Sequence, residues 1–266
     1  MDNLHRGSAP LSDRVWKAVD DAVAQAARHV LAARRIATFD GPRGWDHVAT
    51  RLGSMTPCRA KEGTAVICVP EVVLLAEVRV DFSLPWAAIH VFERGAPALE
   101  AGIAEAAARE AALAEDRLAL YGEPIGSGFL TAPQSPSIPV QDWGKPGQVL
   151  TEMLQAVETL DALGIAGPYE AVLPPAAYFA YLQAVTDGGY PTARQLKNVV
   201  TDIHRSPVVR EAGALFSTRG GDFVLTLGGD LTVGYHSHDR EAVHLFCVET
   251  LAAQTVTPEA VCLLRR

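Results

Sequence analysis

The segment from Val72 to Phe82 constrains the fold most, because its apolar residues recur at every second position. One side of the segment carries Val72, Leu74, Ala76, Val78, Val80 and Phe82. A period of two predicts one long β-strand with a buried face. Together with residues 54–69 it predicts an extended β-arm with its tip near Lys61. A two-stranded arm is marginally stable alone in water, so we expect another surface to cover it.

The remaining pattern predicts helices and strands without a regular βαβ repeat. Ser12 is a favourable helix N-cap, and apolar residues at steps of three and four predict a helix from there to Arg35. Residues 98–121 predict a long alanine-rich helix, and residues 149–163 predict a second amphipathic helix. A chain of 266 residues that is 48% apolar has ample material for a core. The arrangement predicts an α+β fold.

The glycine-rich stretch STRGGDFVLTLGGDLTVGYHSHD, residues 217–239, admits three interpretations. A phosphate loop requires a helix after its glycines, and no helical pattern follows. His236, His238 and Asp239 suggest a metal site, but no Cys or Glu at ligand spacing completes the set. We therefore interpret the glycines as turns of an antiparallel meander, with Leu225 and Val233 on one face of a hairpin.

Composition and charge exclude several classes of function. A formal net charge of -8, without a basic stripe, argues against nucleic-acid binding. The first residues lack a secretory signal pattern, and no apolar run reaches the roughly 20 residues of a membrane helix. Cys58, Cys68, Cys247 and Cys262 have no CxxC spacing, which is typical of cytosolic thiols, although Cys58 and Cys68 could pair across a hairpin. We expect a cytoplasmic protein.

Catalytic motifs such as GxSxG, HExxH and the Walker loop are absent from the sequence. Glu110, Glu115 and Asp116 are interpreted as the solvated face of the long helix, and Tyr178 and Tyr181 as core or interface residues. We expect no catalysis and no metal. A triad assembled from distant residues stays open, because such triads carry no local signature.

Several blocks, in order and spread along the whole chain, carry a resemblance to a known family. They are HRGSAPLSDRVWKAVDDAV, LAARRIATFDGPRGW, FERGAP, YGEPIGSGFL, GIAGPYEAVL, GGYP, the stretch 217–239 and VHLFCVETLAAQTVTPEAVCLL. These blocks resemble type 1 encapsulin shell proteins of the linocin/bacteriocin-like family. The resemblance implies the HK97-type capsid fold of tailed phages, with a peripheral domain, an axial domain and an extended loop. It also implies a nanocompartment shell that self-assembles.

The resemblance implies five segments. They are an N-terminal helix arm and inner-wall segment (1–49), an extended β-loop (50–82), a peripheral domain with a spine helix (83–130), an axial domain (131–225) and C-terminal strands that return to the peripheral domain (226–266). It further implies a homo-oligomer that forms a closed icosahedral shell, without nucleic acid or membrane. The enclosed cargo would be a peroxidase or a ferritin-like iron protein. A short targeting peptide on the cargo would dock on the inner wall.

Three surfaces and one cofactor contact follow as expectations. The cargo-peptide surface is predicted at Ala27, Leu31, Arg34, Thr38, Leu231 and Val233. The five-fold pore loop is predicted at Asp187, Gly188, Gly189, Tyr190 and Pro191. The intersubunit clasp is predicted at Val72, Leu74, Val78 and Val80. Trp86 lies one position from a tryptophan with which some relatives bind flavin, so flavin is a weaker expectation. Thr38 replaces a carboxylate that is frequent in the family.

The sequence leaves two alternatives to the shell subunit open. One is a phage or prophage major capsid protein of the same fold, although such proteins usually carry a cleaved scaffolding extension. The other is a peptidase, for which the sequence offers no recognisable triad.

Overall fold

The computed structural model describes residues 3–59, 66–186 and 188–266, with the backbone alone at residues 57–59. Its α-helices are α1 (Asp13–Arg28), α2 (Ala33–Ile36), α3 (Trp86–Glu93), α4 (Gly102–Tyr121), α5 (Gln148–Ala162), α6 (Pro175–Gln183) and α7 (Thr192–Leu196). Its strands are β1 (Thr38–Asp40), β2 (Ala49–Arg59), β3 (Val66–Leu74), β4 (Ala76–Pro85), β5 (Ser137–Pro139), β6 (Tyr169–Leu173), β7 (Val200–Arg205), β8 (Gly213–Ser217), β9 (Phe223–Leu227), β10 (Thr232–His238), β11 (Ala242–Thr255) and β12 (Val261–Arg265). Short 3-10 turns lie at Arg6–Ser8 and Pro258–Ala260.

The strands form three sheets. One five-stranded sheet has the order β1-β9-β11-β10, with β4 also paired to β11. A second has the order β5-β12-β8-β6-β7, and β2 and β3 form a separate two-stranded sheet. The mixture of helices and largely antiparallel sheets confirms the predicted α+β class.

The chain divides into two compact units. The first comprises Met1–Ala27, Asp40–Ala111 and Thr226–Gln254, and the second comprises Arg28–Phe39, Ala112–Leu225 and Thr255–Arg266. In the first unit, α1 and the alanine-rich part of α4 pack on one face of β4, β10 and β11. In the second, Phe129, Phe216 and Phe223 meet edge to face, with ring centroids 5.2 and 5.1 Å apart.

The predicted long strand over residues 72–82 is wrong, because the chain leaves the arm at Leu75. The Leu75 N–H donates to the Val48 carbonyl at 3.0 Å, and β4 then pairs with β11. The alternation itself is confirmed in β4, whose inward residues include the buried Phe82 and Leu84. Two strands that meet at one residue produce the same period of two as one long strand, so the sequence could not separate them.

The predicted first helix is interrupted between Arg28 and Ala33. Its start is as expected, since the Ser12 hydroxyl accepts the Val15 N–H at 3.3 Å. Its end differs because the Asp116 carboxylate accepts the N–H groups of Ala32 and Ala33 at 3.0–3.1 Å. An N–H bonded to a distant carboxylate no longer donates to the carbonyl four residues earlier, so the helix restarts there as α2.

The predicted hairpin across Gly228 and Gly229 is also wrong. Strands β9 and β10 each pair with β11, and the two glycines run alongside it, with the Gly228 N–H donating to the Thr250 carbonyl at 2.8 Å. A Cβ on Gly228 would lie 2.4 Å from Thr250 Oγ1, and one on Gly229 would lie 2.5 Å from the Trp45 ring. These glycines therefore permit close packing, whereas Gly220 and Gly221, with φ of 96° and 82°, form a turn.

Candidate assembly and docking surfaces

The two-stranded arm carries an unusual amount of exposed apolar surface. Its strands β2 and β3 are antiparallel, with a register irregularity between Arg51 and Met55. Its exposed apolar side chains are Leu52, Met55, Val66, Ile67, Val69, Val72 and Leu74, each at least 39% accessible in the single subunit. Clustered exposed apolar side chains of this kind mark a contact surface. The arm thus has the properties expected of an intersubunit contact.

Two of the four predicted clasp residues do not lie on this arm. Val72 and Leu74 belong to β3 and are 46% and 64% exposed. Val78 and Val80 belong to β4, where they are half-buried and pack against the core of the first unit. Their inclusion in the clasp followed from the assumption of one continuous strand. The predicted clasp is therefore reduced to Val72 and Leu74.

The predicted pore loop is an exposed turn between α6 and α7. Gly188, Gly189, Tyr190 and Pro191 are all exposed, and Asp187 lies outside the described residues. The Thr186 N–H donates to the Tyr190 carbonyl at 2.9 Å, which closes the turn, and Gly189 has a φ of 78°. The Tyr190 side chain is 68% accessible. The turn is thus free to meet other molecules, and its role at a pore stays a prediction.

Half of the predicted cargo-peptide residues are buried in their own units. Ala27, Leu31 and Val233 are 3%, 7% and 0% exposed. Val233 belongs to the core that β10 forms beneath α1. A peptide can contact buried side chains only if the subunit rearranges, so these three are poor docking residues. Their spacing on the sequence marked an apolar face, and that face packs inward.

The other three predicted docking residues have accessible surface. Leu231 is half-buried at the edge of the first unit's core, and Thr38 is exposed, with its hydroxyl accepting the Gly221 N–H at 2.9 Å. Arg34 is 19% exposed, and its guanidinium binds the Glu115 carboxylate through two donors, at 2.7 and 2.8 Å. Arg34 therefore has a structural partner, and Leu231 and Thr38 are the accessible members of the predicted surface.

Glu115 and Asp116 are fully buried, which corrects their interpretation as a solvated helix face. Besides the two backbone bonds to Ala32 and Ala33, Asp116 accepts the Ser206 hydroxyl at 3.2 Å. The two carboxylates therefore anchor the segment around α2 within the second unit. The sequence of an alanine-rich helix does not distinguish a solvated charged side chain from a buried, paired one. The partners of Asp116 and Glu115, which include Ala33 and Arg34, lie more than 80 residues away in the sequence.

Burial raises the pKa of Asp116 from 3.8 to about 6, and the N–H groups of Ala33 and Ala32 oppose this only in part. The folded protein binds the carboxyl proton of Asp116 more tightly than the unfolded chain does. The resulting stabilisation of the folded state is complete below about pH 4, where Asp116 is protonated in both states. It is lost as the pH rises through 6. The quantity to compare is the free energy of unfolding of the native protein minus that of the Asp116→Asn variant. We expect this difference to fall by about 3 kcal/mol between pH 4 and 7. Urea unfolding at each pH measures it, and parallel pH profiles would contradict the assignment.

Trp86 begins α3 and is held within the first unit. Its indole N–H donates to the Asp239 carbonyl at 2.8 Å, and its ring stacks on His90 with centroids 5.7 Å apart. His238 meets the ring edge to face at 6.1 Å. These contacts give the tryptophan a structural role in the first unit. Flavin binding stays a prediction, which the visible absorbance of the purified protein tests.

The histidines and cysteines of the described residues have structural surroundings. In the part of the chain that the structure describes, no group of three or more His, Cys, Asp or Glu side chains is arranged to hold a metal ion. His238 instead bonds Tyr235, and His236 bonds Ser237. Cys68 is a free thiol opposite Pro57, and the Cys58 side chain lies outside the described residues. No helix in the described ranges is long and apolar enough to cross a membrane.

The fold is that of the capsid-type shell proteins. The structure resembles a virus-like particle from Pyrococcus furiosus with a TM-score of 0.71 and 16% identity, covering 94% of this chain and 99% of that one. It resembles a structure of Mycobacterium phage Che8 with a TM-score of 0.55 and 11% identity, covering 87% and 90%. At these identities the likeness establishes the fold alone, and it confirms the predicted HK97-type class.

The sequence is similar to those of a family of encapsulating proteins. A family model described as Linocin_M18, encapsulating protein for peroxidase, matches residues 1–252. The type 1 encapsulin shell protein of Rhodospirillum rubrum is 32% identical over 280 residues, covering 100% of this chain and 97% of that protein. That of Rhodococcus erythropolis is 32% identical over 266 residues, covering 98% of each. The chain therefore belongs to the Linocin_M18 family of encapsulating proteins, as the motifs predicted.

Proposed function

We propose that this chain is a structural shell subunit, copies of which assemble into a closed icosahedral compartment that encloses a cargo protein. The exposed apolar arm carries this proposal, because such a surface is stable in water only when another subunit covers it. Membership of the encapsulating family supports the same conclusion. The phage capsid alternative is less well supported, since the phage structure shares the fold at 11% identity while encapsulin shell proteins share 32%.

Assembly of the purified chain tests the proposal directly. We expect it to elute in size-exclusion chromatography as a particle far larger than a 28.4 kDa monomer. Negative-stain images should show closed, uniform shells. A monomer or dimer under the same conditions would contradict the proposal.

The cargo is proposed from the family description, which names a peroxidase. A ferritin-like iron protein is the second class predicted from the sequence. We further propose that the compartment lies in the cytoplasm and that its shell is not principally catalytic. Mass spectrometry of shells purified from the native host identifies the cargo, and empty shells would contradict its recruitment.

Leu231 is the residue on which we propose that the cargo peptide rests, because it is apolar and accessible at the edge of a buried strand. Burial of one apolar side chain contributes about 1.5–3 kcal/mol, and repeated sites on one shell add avidity. We expect Leu231→Asp shells to assemble normally and to lose most of their cargo. The matched control is Leu163→Asp, which replaces a half-exposed leucine elsewhere. Full loading of the Leu231→Asp shells would place the docking surface elsewhere, for example in the concavity of about 730 Å³ beside α1.

The exposed turn that includes Gly188 and Gly189 is proposed as the rim of a pore. The tip of the turn is closed by hydrogen bonds within it, from the Thr186 N–H to the Tyr190 carbonyl and from the Gly189 N–H to the Thr186 carbonyl. At its base the Val185 carbonyl accepts the Gly147 N–H, so residues added at the tip extend the turn without displacing that contact. We expect an insertion of several glycine and serine residues between Gly188 and Gly189 to preserve assembly and to change the turnover of an enclosed enzyme for charged substrates. Failure to assemble would instead place the turn in a tight subunit contact.

A further inference from the structure

Three side chains in the first unit form a hydrogen-bonded chain of nucleophile, base and carboxylate types. Ser83 on β4 lies directly opposite His244 on β11 in the strand register. Ser83 Oγ is 2.8 Å from His244 Nδ1, and His244 Nε2 is 3.1 Å from Asp239 Oδ2. These three residues are separated by as many as 161 positions, so no local motif reveals them.

The side chains of Ser83 and His244 lie on the exposed face of the sheet. The neighbours of Ser83 on β4, Phe82 and Leu84, point into the core, so the alternation of the strand turns Ser83 outward. Asp239 lies in the turn between β10 and β11, where its Oδ1 accepts the N–H groups of Glu241 and Ala242 at 2.7 and 2.9 Å. Its second oxygen is thereby aimed at His244.

The carboxylate fixes the proton arrangement of the imidazole. Hydrogen bonds from the Ala242 and Glu241 N–H groups and from His244 lower the pKa of Asp239 to about 2, so it is ionised at neutral pH. An ionised carboxylate only accepts hydrogen bonds, so the proton of the neutral imidazole resides on Nε2. His244 Nδ1 then has a free lone pair and accepts the Ser83 hydroxyl proton. This is the arrangement that general-base activation of a serine requires.

A cavity of about 310 Å³ opens beside these side chains and is lined in part by Arg79, Asp81, Ser83, His236 and His244. Its size is at the lower end of the range for ligand sites, which restricts it to small molecules. Arg79 is the cationic group of this wall and is held by Asp81 at 2.9 Å and by the face of the Phe246 ring at 3.8 Å. The wall of this cavity therefore combines Ser83 and His244 with a cationic group.

We propose that Ser83, His244 and Asp239 form a hydrolytic site for small acyl esters on the shell subunit. Ser83 Oγ attacks the ester carbonyl carbon while its proton moves to His244 Nδ1. The carbonyl then re-forms, the bond to the alcohol oxygen breaks, and Nδ1 returns the proton to that alcohol. Water, activated by His244 in the same way, cleaves the acyl–Ser83 bond, releasing the carboxylic acid and restoring the hydroxyl. Asp239 is a positioning residue, because it acts through His244.

A fluorophosphonate probe applied to purified assembled shells tests the nucleophile, since activated serine displaces its fluoride. We expect one modified peptide, containing Ser83, with labelling abolished in Ser83→Ala and reduced at least tenfold in His244→Gln. The matched control is Ser237→Ala, because Ser237 lies 3.0 Å from His236 Nδ1, and within the described residues no carboxylate is hydrogen-bonded to that imidazole. That variant should label as the native protein does. Negative-stain images establish that each variant still forms shells.

Hydrolysis of p-nitrophenyl acetate tests the complete site. We expect Ser83→Ala to lose at least tenfold in rate above background, and Asp239→Asn to lower the rate and shift its dependence on pH between 5 and 9. A purely structural Asp239 would change shell yield without moving that pH profile. Absence of Ser83 labelling in native shells, equal labelling of many serines, or equal hydrolysis by Ser83→Ala would each overturn the proposal.

Discussion

Shells are expected not to close when Val72 and Leu74 on β3 are both replaced by aspartate. Each side chain contributes about 1.5–3 kcal/mol when it is buried at a contact, and a carboxylate in its place must be desolvated. Because the contact repeats in every subunit of a closed shell, a loss of this size at each copy prevents completion. We expect folded subunits or small oligomers in size-exclusion chromatography and no particles in negative-stain images.

Two controls separate assembly from folding in this experiment. Val256→Asp introduces the same charge at an apolar residue that is 53% exposed outside the arm, and it should leave the particles intact. Val78→Asp, by contrast, places a carboxylate against the core of the first unit and should lower the yield of folded protein. Normal particles from the Val72→Asp, Leu74→Asp double variant would exclude this part of the arm from the contact.

Asp116→Ala is expected to produce the largest loss of subunit stability among single changes that leave the apolar core intact. The substitution removes the acceptor of the buried Ala32 and Ala33 N–H groups and of the Ser206 hydroxyl. A buried donor without a partner costs about 1–3 kcal/mol, and relief of the buried charge offsets part of this. We expect the free energy of unfolding to fall by about 2–4 kcal/mol.

Urea unfolding of the non-assembling double variant, with and without Asp116→Ala, measures this loss without interference from shell dissociation. Glu110→Ala is the matched control, because Glu110 is exposed on the same helix and should change stability by less than about 0.5 kcal/mol. Equal midpoints for the two substitutions would mean that the buried carboxylate contributes nothing to anchoring α2.

Much of the fold could be predicted from the sequence because its signals are local. The period of two in β4, the Ser12 cap and the apolar stripe of α5 each depend on neighbours within a few residues, and the structure confirms them. The break at Leu75 could not be predicted, since the period of two continues through it. Nor could the restart of the helix at Ala33, which is imposed by a carboxylate 83 residues away.

For the candidate surfaces too, features set by neighbouring residues could be predicted, whereas features set by distant contacts could not. The sequence predicted an arm from an alternating apolar run over residues 72–82. Of that run only Val72 and Leu74 lie on the arm, because the rest belongs to β4 and pairs with β11. The cargo-peptide surface stays a prediction, and the burial of Leu31 could not be foreseen, because helical spacing identifies an apolar face without indicating whether that face packs inward. The hydrogen-bonded group of Ser83, His244 and Asp239 could not be predicted from the sequence, because the pairing of β4 with β11 brings Ser83 and His244 together.

The single-residue junction at Leu75 has a mechanical consequence. The arm strand β3 continues through Leu75 into β4, and β4 is joined to β11 through ten successive residue pairs, from Ala76 with Leu251 to Pro85 with Ala242. Tension applied by a neighbouring molecule to the arm therefore enters a long antiparallel ladder along its axis. The ladder bears that load in shear, shared among many hydrogen bonds, rather than being peeled open one bond at a time. We therefore expect the β4–β11 ladder to carry the tension that reaches a subunit through its arm.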